Sequence, residues 1–347
     1  MTRILRLENS HLFSKLSGKA QIIIAGEIEK DFYRNRQTHS YEVKSISEII
    51  AKNIKYENIE AIGLVALGHD LGHSAFGHDG ATALNKLSKK FGLNEGFSDN
   101  NNNLSMISHN GISFSRYELV SLIKYPDKLY QRQKEEYLPI LNYYINKESK
   151  IWGENLTRTV ACNIMDRADE ISYSTSDMFD SFATGYTKTT LEDFFFNRRK
   201  ELSSNPIYSS LLLSCGNAVK EFNKRMLRGL LLELKLVLVN DLIWDYKLSC
   251  LTFKNRESLD LLDSMIKFNY NEFIKNKNIV KKRKLAIKKF KKFAKYFFTC
   301  DPKKFPSDLY RTKYLYANSD IERLEIRRDM ISDTSDQYVL NYKIPKA

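Results

Sequence analysis

The chain has 347 residues, of which 42% are hydrophobic and 28% charged, so it is long enough for one large or two fused helical units. Its formal net charge of +13 favours anionic partners such as nucleotides, nucleic acids or acidic surfaces. Four widely spaced cysteines without a CxxC pair exclude a disulfide framework and a zinc knuckle, and the most apolar stretch, residues 230–244, holds too many charges to span a membrane.

Few prolines and glycines predict long helices, and apolar spacing places the first of them. Residues 40–54 have helical periodicity, and residues 59–67 read as a more buried helix that ends at Gly68. A loop punctuated by glycines is predicted over residues 71–78, and a helix resumes over residues 81–91. The asparagine-rich segment 92–103 predicts another loop.

The second half of the chain changes character. A helix over residues 115–124 is stopped by Pro126, residues 127–155 are interpreted as an insertion with a polar surface, and residues 156–184 form one long helix. After Gly185 the chain becomes lysine-rich, with further helices. We therefore predict a core over residues 1–186 and a helical C-terminal region over residues 187–347 that packs on it. The N-terminus lacks a sustained apolar run, so a cytoplasmic protein without a membrane partner is expected.

Residues 275–295 contain eleven Lys and Arg, and two interpretations of this segment stay open. The favoured one is a helix whose charged face is solvated while Phe290, Phe293, Tyr296 and Phe297 pack on the other side. The alternative is a strip that binds a nucleic acid or an effector.

Histidine is scarce and clustered in this chain. Only six histidines occur, and His39, His69, His73 and His78 fall within forty positions, with Asp70 beside the second of them. Histidine is the commonest neutral metal ligand and titrates near neutral pH. The cluster therefore indicates a metal site combined with acid–base chemistry.

A divalent cation needs several converging nitrogen and oxygen ligands. His69 and Asp70 are adjacent at a helix end, His39 opens the preceding helix, and Asp169 can be carried back by the long helix. Such a mixed set suits Mn, Fe, Co or Mg rather than a structural zinc.

Within the long helix, Asp169, Tyr173 and Asp177 recur every four residues and share one face, with Asp166 nearly on it. Spacing alone favours a solvated polar stripe there. That interpretation loses weight because the chain offers the histidine cluster no better fourth ligand.

Several ordered motifs resemble the HD-domain deoxynucleoside triphosphate triphosphohydrolases, the dGTPase-like group. The strongest are residues 38–43 (Thr-His-Ser-Tyr-Glu-Val), 69–78, 111–126 and 168–173 (Ala-Asp-Glu-Ile-Ser-Tyr), with further likeness at 13–21, 302–306 and 329–336. The likeness is thin over residues 187–296. The resemblance implies an all-α HD-domain helical bundle with additional C-terminal helices, and hydrolysis of a deoxynucleoside triphosphate (dNTP) to deoxynucleoside and triphosphate.

The resemblance also implies a role for each matching residue. Divalent metal ligands are implied at His39, His69, Asp70 and Asp169. His73 and His78 would face the scissile phosphate, Arg36 and Lys124 would hold triphosphate oxygens, Tyr173 and Asp177 would meet the deoxyribose, and Lys15 and Leu16 would lie beside the sugar. A homo-oligomer, often a hexamer, and a nucleotide or single-stranded DNA effector are implied as well.

The chain departs from the family pattern at three places. Ala81 stands where an acidic residue usually follows the last loop histidine, Phe-Ser-Asp-Asn at 97–100 replaces a segment that carries a histidine in several relatives, and Met330 replaces a frequent tyrosine. Asp79, Asp99 or His109 are candidates to compensate. Two alternatives therefore stay open: a phosphohydrolase for another nucleotide phosphate ester, and a nucleic-acid-binding protein with an idle HD site.

Overall fold

The chain is seen here in a computed structural model that describes residues 3–22, 34–109, 111–183, 194 and 224–345. This part of the chain forms fifteen α-helices and one small β-hairpin, which confirms the all-α prediction. The predicted boundary between residues 186 and 187 lies outside the described residues.

Nine helices form the first half. In chain order they are α1 (Arg3–Glu8), α2 (His11–Ser14), α3 (Arg36–Asn53), α4 (Ile59–Gly68), α5 (Gly77–Lys90), α6 (Asp99–His109), α7 (Arg116–Ser121), α8 (Gln131–Trp152) and α9 (Val160–Ala183). Short 3₁₀ turns occupy Lys15–Gly18 and Pro126–Lys128. Helix α8 falls within the segment interpreted as an insertion.

Six helices and the hairpin form the described C-terminal region. The helices are α10 (Lys224–Asn240), α11 (Arg256–Phe268), α12 (Lys277–Thr299), α13 (Asp308–Leu315), α14 (Asp320–Ser332) and α15 (Asp336–Asn341). A π-helical turn, Asn269–Ile274, follows α11, and a 3₁₀ turn covers Pro302–Lys304. Strands β1 (Leu242–Asp245) and β2 (Cys250–Phe253) pair antiparallel, with Leu242 opposite Phe253.

Side-chain caps fix where the helices that carry the site begin. The Asn35 side chain accepts a hydrogen bond from the Thr38 amide at the start of α3, and Asn58 accepts one from Ala61 at the start of α4. Ser115 and Glu118 form a capping box at the start of α7. Glu118 also receives two 2.8 Å hydrogen bonds from Arg3, which ties the N-terminal helix to α7.

Two hydrophobic cores hold these helices together. The first lies where α3, α4 and α9 pack on one another, and α10 and α11 extend it. The second lies where α5 meets α12 and α14. Phe290, Phe293 and Phe297 of α12 are buried in the second core, so its lysines point the other way, as the favoured interpretation of this segment predicts.

Two predicted boundaries were wrong. Helix α5 begins at Gly77 rather than Ala81, because Phe76 adopts a left-handed conformation (φ 62°) that turns the chain into the helix early. The asparagine-rich run is not a loop but the buried start of α6. Its side-chain amides form hydrogen bonds with distant parts of the chain. Local propensity favours a loop there, and long-range partners override it.

Within the described residues, no helix combines the length and the apolar character needed to cross a bilayer. Cys162, Cys250 and Cys300 are free thiols, as predicted, while Cys215 lies outside the described residues.

Candidate active site

Four side chains from three helices converge at the junction of α3, α4 and α9. Asp169 Oδ1 lies 3.0 Å from His39 Nε2 and 3.7 Å from His69 Nε2. Asp70 Oδ1 lies 3.4 Å from the same His69 nitrogen. His39, His69 and Asp70 can all direct one ligand atom at a shared point. The structure thus brings together all four residues that the sequence proposed as metal ligands.

Two cations hold the outer oxygens of the carboxylates. Arg36 donates to Asp70 Oδ2 at 2.7 Å, and Lys124 donates to Asp169 Oδ2 at 2.7 Å. Burial alone would raise the pKa of both carboxyl groups, but these cations hold each pKa well below its usual value. Both acids are therefore ionised near neutral pH, with Oδ1 of each turned toward the histidines.

The histidine rings are oriented by hydrogen bonds to their other nitrogen. His69 Nδ1 lies 2.7 Å from the Ala66 carbonyl oxygen and donates a hydrogen bond to it. The other ring nitrogen, Nε2, is then unprotonated and carries a free lone pair. His39 Nδ1 lies 3.2 Å from Ser172 Oγ, which donates to Glu42 at 2.8 Å, so His39 Nδ1 also serves as a donor.

One buried atom in this cluster has no hydrogen-bond partner. His69 Nε2 is unpaired despite its burial, and burial lowers the pKa of this imidazole, which keeps it neutral. An unsatisfied buried acceptor is costly unless something binds it. Two imidazoles and two ionised carboxylates, each oriented by a neighbouring group, are a suitable donor set for a divalent cation.

Beside this cluster, two histidines and an acid form a second group. Asp99 Oδ2 lies 3.9 Å from His73 Nε2 and 3.9 Å from His78 Nδ1, and the Ser74 amide holds Asp99 Oδ1 at 3.0 Å. His73 Nδ1 in turn lies 3.0 Å from Asp70 Oδ1, which links the two groups.

These neighbours differ in protonation. Burial raises the pKa of Asp99 to about 7, whereas burial and Arg36 lower the pKa of His73 well below its usual value. Near pH 7, Asp99 is therefore partly protonated, whereas the His73 imidazole is neutral. His78 is largely exposed and faces the open side of the site.

The asparagines of α6 fasten the histidine loop. Asn103 accepts a hydrogen bond from the Gly72 amide and donates to the His69 carbonyl, each at 2.5 Å, and Asn102 donates to the Gly72 carbonyl at 2.8 Å. Lys19, fully buried, donates to the His73 carbonyl, and burial lowers its pKa to about 8. The loop geometry thus depends on residues far away in sequence.

We expect Gly72→Ala to destabilise the fold by about 1–3 kcal/mol, because a Cβ at Gly72 would lie 2.3 Å from the Asn103 backbone nitrogen and 2.6 Å from the Asp99 carbonyl oxygen. Thermal unfolding measures the effect. Gly229→Ala is the matched control, since nothing lies within 4 Å of a Cβ there. Equal melting temperatures for wild type and Gly72→Ala would contradict the packing argument.

The residues proposed for the sugar lie along α9 and at the N-terminus. Arg34 donates to Asp177 and also, at 3.2 Å, to both Glu42 and Asp180. Burial raises the pKa of Asp177 to about 7. Tyr173 is half-buried one turn before Asp177.

Lys15 and Leu16, the N-terminal pair proposed for the sugar, begin the 3₁₀ turn Lys15–Gly18. Leu16 is fully buried, while Lys15 pairs with Asp333 of the C-terminal region.

Asp166, which lies on nearly the same face of α9 as Asp169, is paired with cations rather than with the histidines. Its carboxylate pairs with Lys124 at 3.1 Å and with Arg158 at 2.6 Å. The two acids therefore have different partners: Asp169 contacts the histidines, and Asp166 contacts Arg158.

Of the residues proposed to compensate for Ala81, only Asp99 is seen next to the loop histidines. Ala81 packs at the edge of the second core, and Asp79 is held by Arg283 at 2.7 Å. The side chain of His109 lies outside the described residues. Met330 is buried in the second core.

Sequence reasoning missed Lys19, Arg34, Asn102 and Asn103. Lys19 lies inside segment 13–21, which resembles the family, and Arg34 lies two residues before Arg36. The sequence therefore contained a signal for both residues. The asparagines carried no periodic signal, since an Asn-rich run is typical of loops.

Comparison with known proteins gives a family match and several similar proteins. Residues 36–173 match the family model for the HD domain. A deoxyguanosinetriphosphate triphosphohydrolase-like protein of Rickettsia peacockii (strain Rustic) is 26% identical over 96% of this chain and 83% of its own length. A protein with the same description from Leptospira interrogans is 29% identical over 74% of this chain and 62% of its own length. The deoxyguanosinetriphosphate triphosphohydrolase-like protein 2 of Mesorhizobium japonicum is 29% identical over 52% of this chain and 45% of its own length.

Proposed function

We propose that the chain, whose residues 36–173 match the HD domain, is a metal-dependent phosphohydrolase that cleaves a deoxynucleoside triphosphate into a deoxynucleoside and triphosphate. One observation carries the proposal: His39, His69 and Asp70 can direct ligand atoms at one point, Asp169 lies within 3.7 Å of both histidines, and a second group, His73, His78 and Asp99, lies beside them. A metal site next to a proton donor is what phosphate-ester hydrolysis requires.

The proposed ligands are His39, His69, Asp70 and Asp169, and the cation is Mn, Mg, Fe or Co. When bound, it offsets negative charge at the phosphorus and activates water. The protein's part is to orient the two imidazoles through their contacts with the Ala66 carbonyl and Ser172, and to keep the two carboxylates ionised through the hydrogen bonds from Arg36 and Lys124.

Cationic side chains suit the charge of the substrate. A triphosphate carries about four negative charges, which must be offset where the phosphate is cleaved. Arg36 and Lys124 already border the metal ligands, and we assign them to the triphosphate oxygens. Lys15, Leu16, Tyr173 and Asp177 are assigned to the sugar, with the Asp177 carboxyl group set against the 3′-hydroxyl.

The leaving 5′-oxygen of the deoxynucleoside must receive a proton. We assign this transfer to His73 and His78. Asp99 would be their acidic partner, because Ala81 stands where the family pattern usually has an acidic residue. This assignment is supported by the position of the buried Asp99 carboxylate, which lies 3.9 Å from a nitrogen of each histidine and is anchored by the Ser74 amide.

The proposal is tested by incubating the purified protein with Mn²⁺ or Mg²⁺ and each dNTP, and separating the products. We expect triphosphate and the free deoxynucleoside in equal amounts. Release of neither product from any dNTP, by protein shown to contain metal, would contradict the proposal. Sedimentation of the same sample tests the homo-oligomer, such as a hexamer, that the resemblance implies.

The same products decide between the proposal and its alternatives. Inorganic phosphate from a monophosphate, or a linear product from a cyclic dinucleotide, would indicate a phosphohydrolase for another ester. The replacement of the expected acid by Ala81 motivates this alternative. A nucleic-acid-binding protein with an idle site would bind metal and hydrolyse none of these substrates.

A further inference from the structure

Glu42 of α3 lies close to the proposed metal ligands but has no part in the chemistry assigned above. It follows His39 by three residues, so the two side chains lie on the same face of α3. On α9, Asp169, Ser172 and Ser176 also share a face, because they are three and four residues apart. Glu42 accepts a hydrogen bond from Ser172 Oγ at 2.8 Å and one from Ser176 Oγ at 2.9 Å.

Hydrogen bonds lead from Glu42 through Ser172 to His39. Ser172 Oγ lies 2.8 Å from Glu42 Oε2 and 3.2 Å from His39 Nδ1, and both Ser172 and His39 are buried. An ionised carboxylate can only accept, so the single hydroxyl proton of Ser172 points to Glu42. The Ser172 oxygen then accepts from His39 Nδ1, which leaves the Nε2 lone pair on the side of Asp169.

The second imidazole does not need such a chain. His69 Nδ1 faces the Ala66 carbonyl oxygen, which can only accept a hydrogen bond, so its tautomer is fixed by the backbone. A serine hydroxyl can either donate or accept. The direction of the bond between Ser172 and His39 therefore has to be set by a further group, and Glu42 is the acceptor in contact with Ser172.

Two cations from different parts of the chain keep Glu42 ionised. Lys235 of α10 donates to Glu42 Oε1, and Arg34 donates to Oε2 at 3.2 Å. Burial alone would raise the pKa of this carboxyl group, but the two cations lower the pKa to about 2. Glu42 is therefore only an acceptor at neutral pH, and through Lys235 the C-terminal region supports it.

We infer that Glu42 is a positioning residue that acts through Ser172 to hold His39 in the tautomer whose Nε2 can bind a cation. This inference rests on the proposed metal site. It does not depend on which phosphate ester is hydrolysed, so metal binding tests it without any substrate.

Glu42→Gln should weaken metal binding by reversing the hydrogen bonds. The introduced amide can donate to Ser172 Oγ, which allows the hydroxyl to donate to His39 Nδ1 and leaves the ring proton on Nε2. Loss of a group that orients a ligand typically costs ~10–100-fold in metal affinity. Calorimetric titration of the metal-free full chain with Mn²⁺ measures this loss, and the melting temperature controls for folding.

Nitrogen-15 NMR of the His39 ring reports the tautomer directly in metal-free protein. At about pH 9, where imidazoles are ordinarily neutral, the wild type should show the proton mainly on Nδ1, and Glu42→Gln should shift it toward Nε2. A purely structural role of Glu42 would leave the tautomer unchanged, and that result would overturn the inference.

Two serines provide a matched pair of variants that keeps Glu42 and its cations in place. Ser172→Ala and Ser176→Ala each remove a buried hydroxyl of α9 that donates to Glu42, but Ser172 also contacts His39, whereas Ser176 lies one turn further along. Ser172→Ala should weaken Mn²⁺ binding ~10–100-fold. Ser176→Ala should bind Mn²⁺ as the wild type does.

The serine pair also decides the matter if Glu42→Gln does not fold. Equal losses of affinity in both serine variants, or none in Ser172→Ala, at unchanged melting temperatures, would show that Glu42 only holds α3 against α9. A wild type that bound no metal but showed the expected tautomer shift in Glu42→Gln would contradict the proposed metal site and still support the positioning of His39 by Glu42.

Discussion

Asp169→Asn will remove the metal and reduce hydrolysis to background, whereas Asp166→Asn will leave the metal in place. The two acids lie three residues apart on α9, and spacing alone did not separate them. Their partners do: Asp169 Oδ1 is within 3.7 Å of both His39 Nε2 and His69 Nε2, while Asp166 pairs only with Lys124 and Arg158 among the ion pairs of the described residues.

The expected difference follows from charge. The Asn amide is nearly isosteric, but it carries no negative charge and is a weak ligand for a divalent cation. Lys124 would keep Asp166 as a partner in the Asp169 variant, so the fold should survive. In Asp166→Asn, Lys124 keeps Asp169 at 2.7 Å, and the inner carboxylate is untouched.

Metal content per chain, measured by elemental analysis after dialysis, is the primary readout, and dNTP hydrolysis is the second. Circular dichroism and the melting temperature control for folding. If Asp166→Asn loses the metal and Asp169→Asn keeps it, the ligand assignment is wrong. If both keep it, the fourth ligand comes from elsewhere.

The metal cluster was the part of the site most accessible from sequence, and the reason is physical. His69 and Asp70 are adjacent at the end of α4, so the sequence alone places them together, whereas the choice of Asp169 on α9 came from the family resemblance. The helices themselves followed from apolar periodicity, because their buried faces are continuous.

What spacing could not supply are contacts between distant segments. Asn102 and Asn103 look like loop residues, yet they are buried against the histidine loop thirty residues upstream. Arg34 binds acids of α3 and α9, a pairing that no local pattern reveals.

The residue that could compensate for Ala81 also depends on a contact between segments that are distant in sequence. Three candidates were equal in sequence, and only the fold distinguishes them. Asp79 is adjacent to His78 along the chain but is turned to Arg283, whereas Asp99, more than twenty residues away, lies between the two imidazoles. Proximity in sequence was therefore the wrong guide at this position.

We accordingly expect Asp99→Asn to lower kcat by about 10²–10⁴, the usual cost of losing an acid–base partner, with metal content and KM nearly unchanged. The amide oxygen can still accept the hydrogen bond from the Ser74 amide, so the side chain stays in place. What is lost is the ionisable group whose pKa burial raises to about 7.

The pH profile tests this role separately from folding. If Asp99, His73 and His78 share one proton for the leaving oxygen, wild-type kcat should fall as the pH rises above about 7, because the proton is then lost. That limb should disappear in Asp99→Asn.

Asp79→Asn is the matched control, since it removes a carboxylate that is next to His78 in sequence but is engaged by Arg283; its kcat and pH profile should resemble those of the wild type. An Asp99→Asn variant that retained full kcat, or that lost the metal together with activity, would show that Asp99 is not the partner of the loop histidines. A loss of kcat in Asp79→Asn with Asp99→Asn unaffected would transfer the role to Asp79. Each result is distinguishable because metal content, KM and kcat are measured on the same folded samples.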